Sequence, residues 1–390
     1  MNRHVNEGEE YIVTTTYGSQ LVRQQHSHIM QAGASARERL KAAAANAWGV
    51  DHVDVVAKQG VLSSGKHRAD YTEFVTAAAE ISLAEEPSIK MPGQWWLLGN
   101  PTPRLDVPVK VNGSAQYSID THLEGMVYAA VKCCPVPWGK LKAYDFDAIK
   151  DRKGVIAAIE FKAIDGKTHT ADMQNGVAVV ADSWYRAKTA LDLMSIEWEF
   201  GANGEVSSDS QTAQAQKLLE ETGEVSNEFG TDVIGKMDKA QHTITADYYR
   251  PYETHVRMEP INATVNVTKE RVDVWSPSQD QAAPLKVVAE HLGRDPKDVH
   301  VQTTFIGGAF GGNGGGLTAV TRQATEISRQ LGRPVKVIWT REEDITNDKQ
   351  RPPVHARLKA ALDGKGLPDA FFSRAVWFSH EGVERHGPAT

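Results

Sequence analysis

The sequence predicts an α/β fold of mixed α/β and α+β character, and three observations predict it. Short runs rich in valine and isoleucine alternate with longer alanine- and leucine-containing segments of helical period along the 390 residues. Two stretches rich in proline or small polar residues, 85–115 and 201–216, interrupt that alternation and part the chain into three regions. In the last region the β-branched run 299-VHVQTTF-305 passes through a dense glycine cluster into a helical pattern. At roughly 100–200 residues per domain, the length admits two to four domains.

The first region contains 11-YIVTTTYGSQ-20, which reads as a strand running into a turn. The composition of 33-GASARERLKAAAANAWGV-50 predicts an amphipathic helix ending at Gly49. Two short strands are expected in 52–70, around Gly60 and Gly65, and a second helix over 71–82. In the middle region strands are expected at 126–132, 154–161, 177–182 and 194–200, with short helices at 144–151 and 183–194. The third region opens with 240–267 and 270–277. A helix over 280–293, the strand before the glycines, a helix over about 317–332 and a strand at 334–340 follow.

Composition excludes several function classes. A net charge of −7 and a pI near 6.1, with dispersed basic residues, leave no electrostatic footprint for nucleic acid. No run approaches the roughly 18 apolar residues of a membrane span, and 1-MNRHVNEGEEYIVTTTYGSQ-20 has no apolar core of a signal peptide. Two cysteines exclude a disulfide framework and a cysteine-rich metal site. Cys133 and Cys134 follow a strand and are expected as buried or half-buried free thiols, which favours the cytoplasm. A periplasmic location would need an export signal upstream. His26 and His28 are expected to be solvated.

From Gly307 to Gly316 seven of ten residues are glycine, the exceptions being Ala309, Phe310 and Asn313. Glycine in a loop costs conformational entropy on folding, so the cluster needs a reason. A strand-to-helix junction argues against a flexible linker. It suits backbone N–H groups facing an anion, and equally a tight packing turn. The dinucleotide fingerprint fits loosely, since no acidic residue closes the following strand, and the P-loop fails for want of Gly-Lys-Ser/Thr.

The retained phenylalanine adds information. GGAFGG at 307–312 resembles the molybdopterin-contacting loop of the xanthine dehydrogenase and aldehyde oxidase family. The stretches 331-LGRPVKVIWTREEDITNDKQRP-352 and 255-HVRMEPINATVNV-267 are similar to segments that flank this loop in the family. So is 98-LGNPTPRLDVPVKVNGSAQYSIDTHLEGMVYAAV-131, which looks like the opening of its small hammerhead domain. Order and style match the subgroup typified by the large subunit of isoquinoline 1-oxidoreductase. The resemblance implies a partial molybdopterin-binding domain over 1–94, an α/β hammerhead domain over 95–205, and the N-terminal part of a second molybdopterin-binding domain over 206–390.

The implied cofactor is molybdenum on a molybdopterin, in the cytosine dinucleotide form. Its metal rides on the pterin sulfurs, so no protein side chain is expected as a metal ligand. The implied reaction is hydroxylation of an N-heterocycle or aldehyde with oxygen from water. Partners would be an iron–sulfur subunit, the remaining part of the large subunit and a small-molecule heterocycle or aldehyde. Gly307, Gly308, Ala309, Phe310, Gly311 and Gly312 are the expected cofactor contacts. Phe310 would pack near the metal or anchor the turn as a buried aromatic. Thr16, Gly18 and Ser19, before the first helix, are further candidates beside an ordinary N-cap role.

His255 and Glu259 are either substrate-pocket residues or a satisfied histidine and a capping glutamate. Arg341 and Glu342 are expected to form a structural ion pair. The family's M-G-Q-G segment and its C-terminal catalytic glutamate find no counterpart, so no residue takes the role of base. The expectation is a central fragment of a larger subunit, inactive by itself. A non-catalytic folded remnant or interaction module, and a nucleotide-phosphate binder, are the alternatives.

Overall fold

The computed structural model describes residues 15–163, 174–225, 229, 232–314 and 318–378. The chain divides between Ala115 and Gln116 into two compact units.

In the first unit, helix α1 (Gln20–Trp48) begins well before residue 33 and ends on Gly49. That glycine takes the left-handed conformation, φ 66°, and its N–H returns to the Ala45 carbonyl. Where two strands are expected there are three: β1 (Val56–Lys58), β2 (Val61–Ser64) and β3 (His67–Asp70). They form an antiparallel meander, because Gly60 and Gly65, both at positive φ, each allow a tight reversal. Helix α2 (Val75–Ala79) follows a 3-10 turn over Tyr71–Glu73 and is shorter than the helix expected over 71–82. A small core of Ala44, Ala45, Val55 and Leu62 holds the helices on the meander. Trp48 closes its edge, stacked on His67 at 5.4 Å and edge-on to Phe74 at 5.5 Å. The proline-rich stretch carries one short helix, α3 (Val107–Val111). Of the strand expected over 11–20, residues 11–14 lie outside the described residues and 15–19 contain no strand.

The second unit is built on a mixed sheet of seven strands. From the middle region come β4 (Val127–Cys133), β6 (Val155–Phe161) and β7 (Gly176–Ala181). The short strand β5 (Lys140–Tyr144) lies between β4 and β6 in sequence and pairs elsewhere. After helix α4 (Trp184–Leu193), β8 (Ile196–Glu199) pairs with β5 in a two-stranded ribbon. Helices α5 (Ser208–Glu220) and α6 (Val233–Lys239) follow, then strand β9 (His242–Arg250). The third region supplies β10 (Asn262–Val267), β11 (Val272–Ser276), helix α7 (Ala282–Leu292), β12 (Val299–Thr303), helix α8 (Thr318–Leu331) and β13 (Val335–Ile338). The chain continues through helix α9 (Arg341–Asn347) into β14 (Val354–Leu362) and β15 (Pro368–Trp377).

Strand order in the large sheet is β12-β11-β10-β13-β4-β7-β6, with β12 parallel to β11 and β13 parallel to β4. Strands from both sides of residue 205 therefore share one sheet. Alternate residues of β4 and β7 feed two cores. Ala129, Val131, Ala178 and Val180 join Val320, Ala324 and Ile327 of α8, while Ala130, Val177 and Val179 join Ala187, Ala190 and Leu191 of α4. With both faces covered, β7 is buried throughout and reads as an unbroken apolar run. Strands β9, β14 and β15 form a separate antiparallel sheet, packed against α5 and α6.

Two expectations are corrected here. Residues 144–151 form the end of β5 and turns, not a helix. The polar stretch 201–216 is largely helical, since Ser207 caps α5 by accepting from the Ser210 N–H and Ala215 and Leu219 bury one narrow stripe.

Candidate functional site

Two loop segments, 255–262 leading into β10 and 307–313 leaving β12, lie side by side. Main-chain bonds join them: the Met258 N–H donates to the Gly308 carbonyl at 3.0 Å, and the Glu259 N–H to the Gly307 carbonyl at 2.8 Å. The Glu259 carboxylate locks the pairing. One oxygen accepts the Gly307 N–H at 2.9 Å, and the other accepts the Ile119 N–H at 3.0 Å and the Asn262 amide at 3.1 Å. A Cβ on Gly307 would lie 2.6 Å from the Glu259 Cβ, so only glycine lets the two segments approach this closely.

Beneath the loop sits Arg257, only 1% exposed. Its Nε donates to the Asn313 side-chain oxygen at 2.7 Å, and its Nη2 to the Gly312 carbonyl and to Asp348, both at 2.7 Å. Its Nη1 donates to Asp344 at 2.5 Å. Asp348 also accepts from the His255 main chain at 2.8 Å and pairs with the His255 Nδ1 at 2.7 Å. Burial works against ionisation of Asp348, but the His255 hydrogen bond and the Arg257 charge hold its carboxyl down at about 2. Burial, with the like charge of Asp348 beside it, pushes the Asp344 carboxyl up despite Arg257 and Arg341. The loop end is pinned from the other side by Gln279, whose side chain accepts the Asn313 N–H at 3.1 Å.

The loop tip is differently made. Ala309 is buried, while Phe310 is 67% exposed at a left-handed φ of 53°. Phe310 is therefore not the buried anchor of the turn. A non-glycine residue in this region is strained, and such strain concentrates at functional loops. Met258, 72% exposed, stands beside it against Gly308. Among the described residues, the N–H groups of Gly308, Ala309, Phe310 and Gly311 donate to no protein acceptor, whereas those of Gly312 and Gly314 turn back to Ala309 and Gly311.

The structure thus brings Gly307 through Gly312 together with His255 and Glu259. It places Thr16, Gly18 and Ser19 in the first unit, where Ser19 precedes α1 at φ 55° without capping it through its side chain. Gly315 and Gly316 lie outside the described residues. His255 and Glu259 are both satisfied by structural partners, and Arg341 pairs with Asp344 at 2.8 Å instead of with Glu342. Sequence reasoning missed Arg257, Asn313, Gln279, Asp344 and Asp348.

The pattern of the molybdopterin cofactor-binding domain family matches residues 215–377, a span that includes every one of the loop residues above. The resemblance carried by GGAFGG and HVRMEP is borne out in the relatives of the whole chain as well. The chain is 26% identical over 369 residues to the membrane-bound aldehyde dehydrogenase [pyrroloquinoline-quinone] of Gluconacetobacter polyoxogenes, covering 92% of this chain and 47% of that protein. It is 25% identical to isoquinoline 1-oxidoreductase subunit beta of Brevundimonas diminuta, covering 85% of this chain and 46% of the relative. The chain spans about half the length of these curated relatives. Its fold is similar to that of the reconstituted CO dehydrogenase from Oligotropha carboxidovorans, at a TM-score of 0.58 and 18% identity over 71% of this chain and 39% of the other.

The geometry of the molybdopterin-domain loop fits such a cofactor. Four adjacent N–H groups without an acceptor among the described residues match a group rich in oxygen and ring-nitrogen acceptors, and the exposed Phe310 ring offers an apolar face to a flat heterocycle. Among the described residues no group of three His, Cys, Asp or Glu side chains is placed to hold a metal ion directly. No helix among them is long and apolar enough to cross a membrane.

Proposed function

We propose that this chain is part of the molybdopterin-binding subunit of a molybdenum hydroxylase that acts on N-heterocycles or aldehydes. The observation that carries the proposal is the 307–313 loop. It is held by Glu259 and Arg257, while among the described residues the N–H groups of 308–311 donate to no protein acceptor. When bound, the molybdenum–molybdopterin group supplies hydroxylation at an electron-poor carbon with oxygen from water, the electrons leaving through iron–sulfur clusters on a partner subunit.

This chain's residues do the holding. Gly308, Ala309, Phe310 and Gly311 present hydrogen-bond donors, Phe310 and Met258 limit water at the loop tip, and Gly307 and Gly312 keep the loop on its bed. Thr16, Gly18 and Ser19 are proposed as further cofactor contacts, and His255 and Glu259 as residues near the substrate that here support the loop. The proposal includes the cytosine dinucleotide form of the cofactor and the remaining part of the large subunit as partner. It includes the assignment of 1–94 and 206–390 to molybdopterin-binding domains, with 95–205 as the hammerhead domain between them. A cytoplasmic location belongs to it too, supported by the free, buried Cys133 and Cys134. The names of the relatives, an aldehyde dehydrogenase and an isoquinoline oxidoreductase, support the substrate class. One relative's name carries a quinone; molybdopterin is preferred because the matched domain contains the loop.

The test is to purify the chain together with the polypeptides encoded beside it, then measure molybdenum and released pterin. Both are expected near one per chain. Gly311 sits at φ 96° with nothing within 4 Å of an added Cβ, so Gly311→Ala strains the loop by roughly 1–2 kcal/mol without a clash. That variant is expected to lower both contents severalfold. A bound nucleotide or quinone with no molybdenum would overturn the reading.

A further inference from the structure

Among the described residues Arg257 is the largest fully buried side chain, and every nitrogen of its guanidinium is engaged. The partners come from separate stretches of chain: Gly312 and Asn313 of the loop, Asp344 of α9, and Asp348 just beyond it. A buried arginine flanked by two carboxylates is a weak way to gain stability, because removing three charged groups from water offsets most of their attraction. It is a strong way to fix a direction, because the planar fork accepts partners only along set lines. The loop is fitted to that fork. A Cβ on Gly312 would lie 2.8 Å from both the Nε and the Nη2 of Arg257, so the glycine and the arginine belong together.

Building on the cofactor reading of the loop, we propose that Arg257 is a positioning residue for the cofactor-binding amides, aimed by Asp344 and Asp348. The chain of contacts runs from α9 through the guanidinium to the Gly312 carbonyl and the Asn313 side chain. It fixes the end of the loop that carries the N–H groups of 308–311. His255 and Arg341 complete it at the two ends, each holding one of the carboxylates.

The experiment reads the loop without needing a bound cofactor. Amide hydrogen exchange is followed on the purified chain at Gly312, Asn313 and Gly314, whose N–H groups are hydrogen-bonded in the folded loop, alongside the thermal midpoint. Asn313→Ala removes the side-chain bond between the loop and the guanidinium, and leaves the Gly312 carbonyl bond and both Arg–Asp pairs in place. Because it also removes the Asn313 amide bond to the Pro277 carbonyl at 2.8 Å, it is expected to speed exchange at these amides at least about tenfold, with a small loss of midpoint. Arg257→Lys keeps a charge between the aspartates but cannot make the fork. It is expected to keep more of the midpoint than Arg257→Met while matching Asn313→Ala in the loop.

Exchange that stays at the parent's rate in Asn313→Ala overturns the proposal, and so does exchange that rises evenly across residues 116–378. If the Arg257 variants do not fold, Asn313→Ala decides alone. Molybdenum content of the co-purified assembly is a separate measurement, so failure of the cofactor reading is told apart from failure of the positioning role.

Discussion

Glu343 shows what burial does to a single group. It lies at the start of α9 with one oxygen accepting the Cys133 N–H at 2.7 Å and the Asn347 amide at 2.9 Å, and among the described residues no cation is hydrogen-bonded to it. Burial pushes its carboxyl up to about 7 from an ordinary 4.5, more than the hydrogen bonds from Cys133 hold it down. Folding therefore favours the protonated form. The contribution of this group is fully present below pH 4.5 and is lost as the pH rises through 7. At about 1.4 kcal/mol per pH unit over a shift of about 2.5 units, the loss is on the order of 3 to 4 kcal/mol. Glu343→Gln should flatten the stability profile over that window and gain on the parent at pH 8 relative to pH 5. Urea midpoints across pH provide the check, and parallel profiles for the two proteins would refute the assignment.

The same scale explains why Arg257 was not legible. It sits inside HVRMEP, a segment that carries the family resemblance, but its partners Asn313, Asp344 and Asp348 lie 56, 87 and 91 residues away. Nothing in the local pattern says that this arginine is buried. The glycines were legible as a cluster, whereas the reason for Gly307 and Gly312 is the side chain each one meets.

Among the elements, those with both faces covered or a broad apolar stripe could be read from sequence: β4, β6, β7, β11, β13, α7 and α8 all lie where expected. Those with one thin contact could not. α5 buries little more than Ala215 and Leu219 on the outer sheet, which is too sparse a stripe to stand out from a polar linker. β14 and β15 escaped because they are only partly buried along most of their length. α9 is short and acidic in its first turn, and from sequence only an Arg341–Glu342 ion pair is expected there. Its start is fixed by Thr340, whose hydroxyl accepts the Glu343 N–H at 3.1 Å. Thr340→Ala should cost about 1 kcal/mol. Because Asp344 rides on this helix, the variant should also speed exchange at Asn313. A stability loss with an untouched loop would mean that α9 and the loop are not coupled.

At the scale of the molecule, the break between Ala115 and Gln116 falls inside the segment whose sequence resembles the opening of the hammerhead domain. A proline-rich stretch signals that a boundary is near, but only long-range strand pairing fixes where it falls. Residues 116–390 hold the whole seven-stranded sheet with α4, α7 and α8 on its two faces. Expressed alone, this segment should unfold in one urea transition, with far-UV circular dichroism and tryptophan fluorescence coinciding. Two separated transitions would show that the sheet does not act as a single cooperative body.

Glu259 ties Gly307 to Ile119, a residue 140 positions away, and Lys336 holds the Ile119 carbonyl from the other side at 2.5 Å. This arrangement sorts the chain by its tolerance of changes in length. The stretches between these anchors can grow or shrink at surface turns without moving the loop. A single residue gained or lost between Tyr117 and Ile119 would shift one oxygen of the Glu259 carboxylate off its partner and carry the other, with Gly307, along with it.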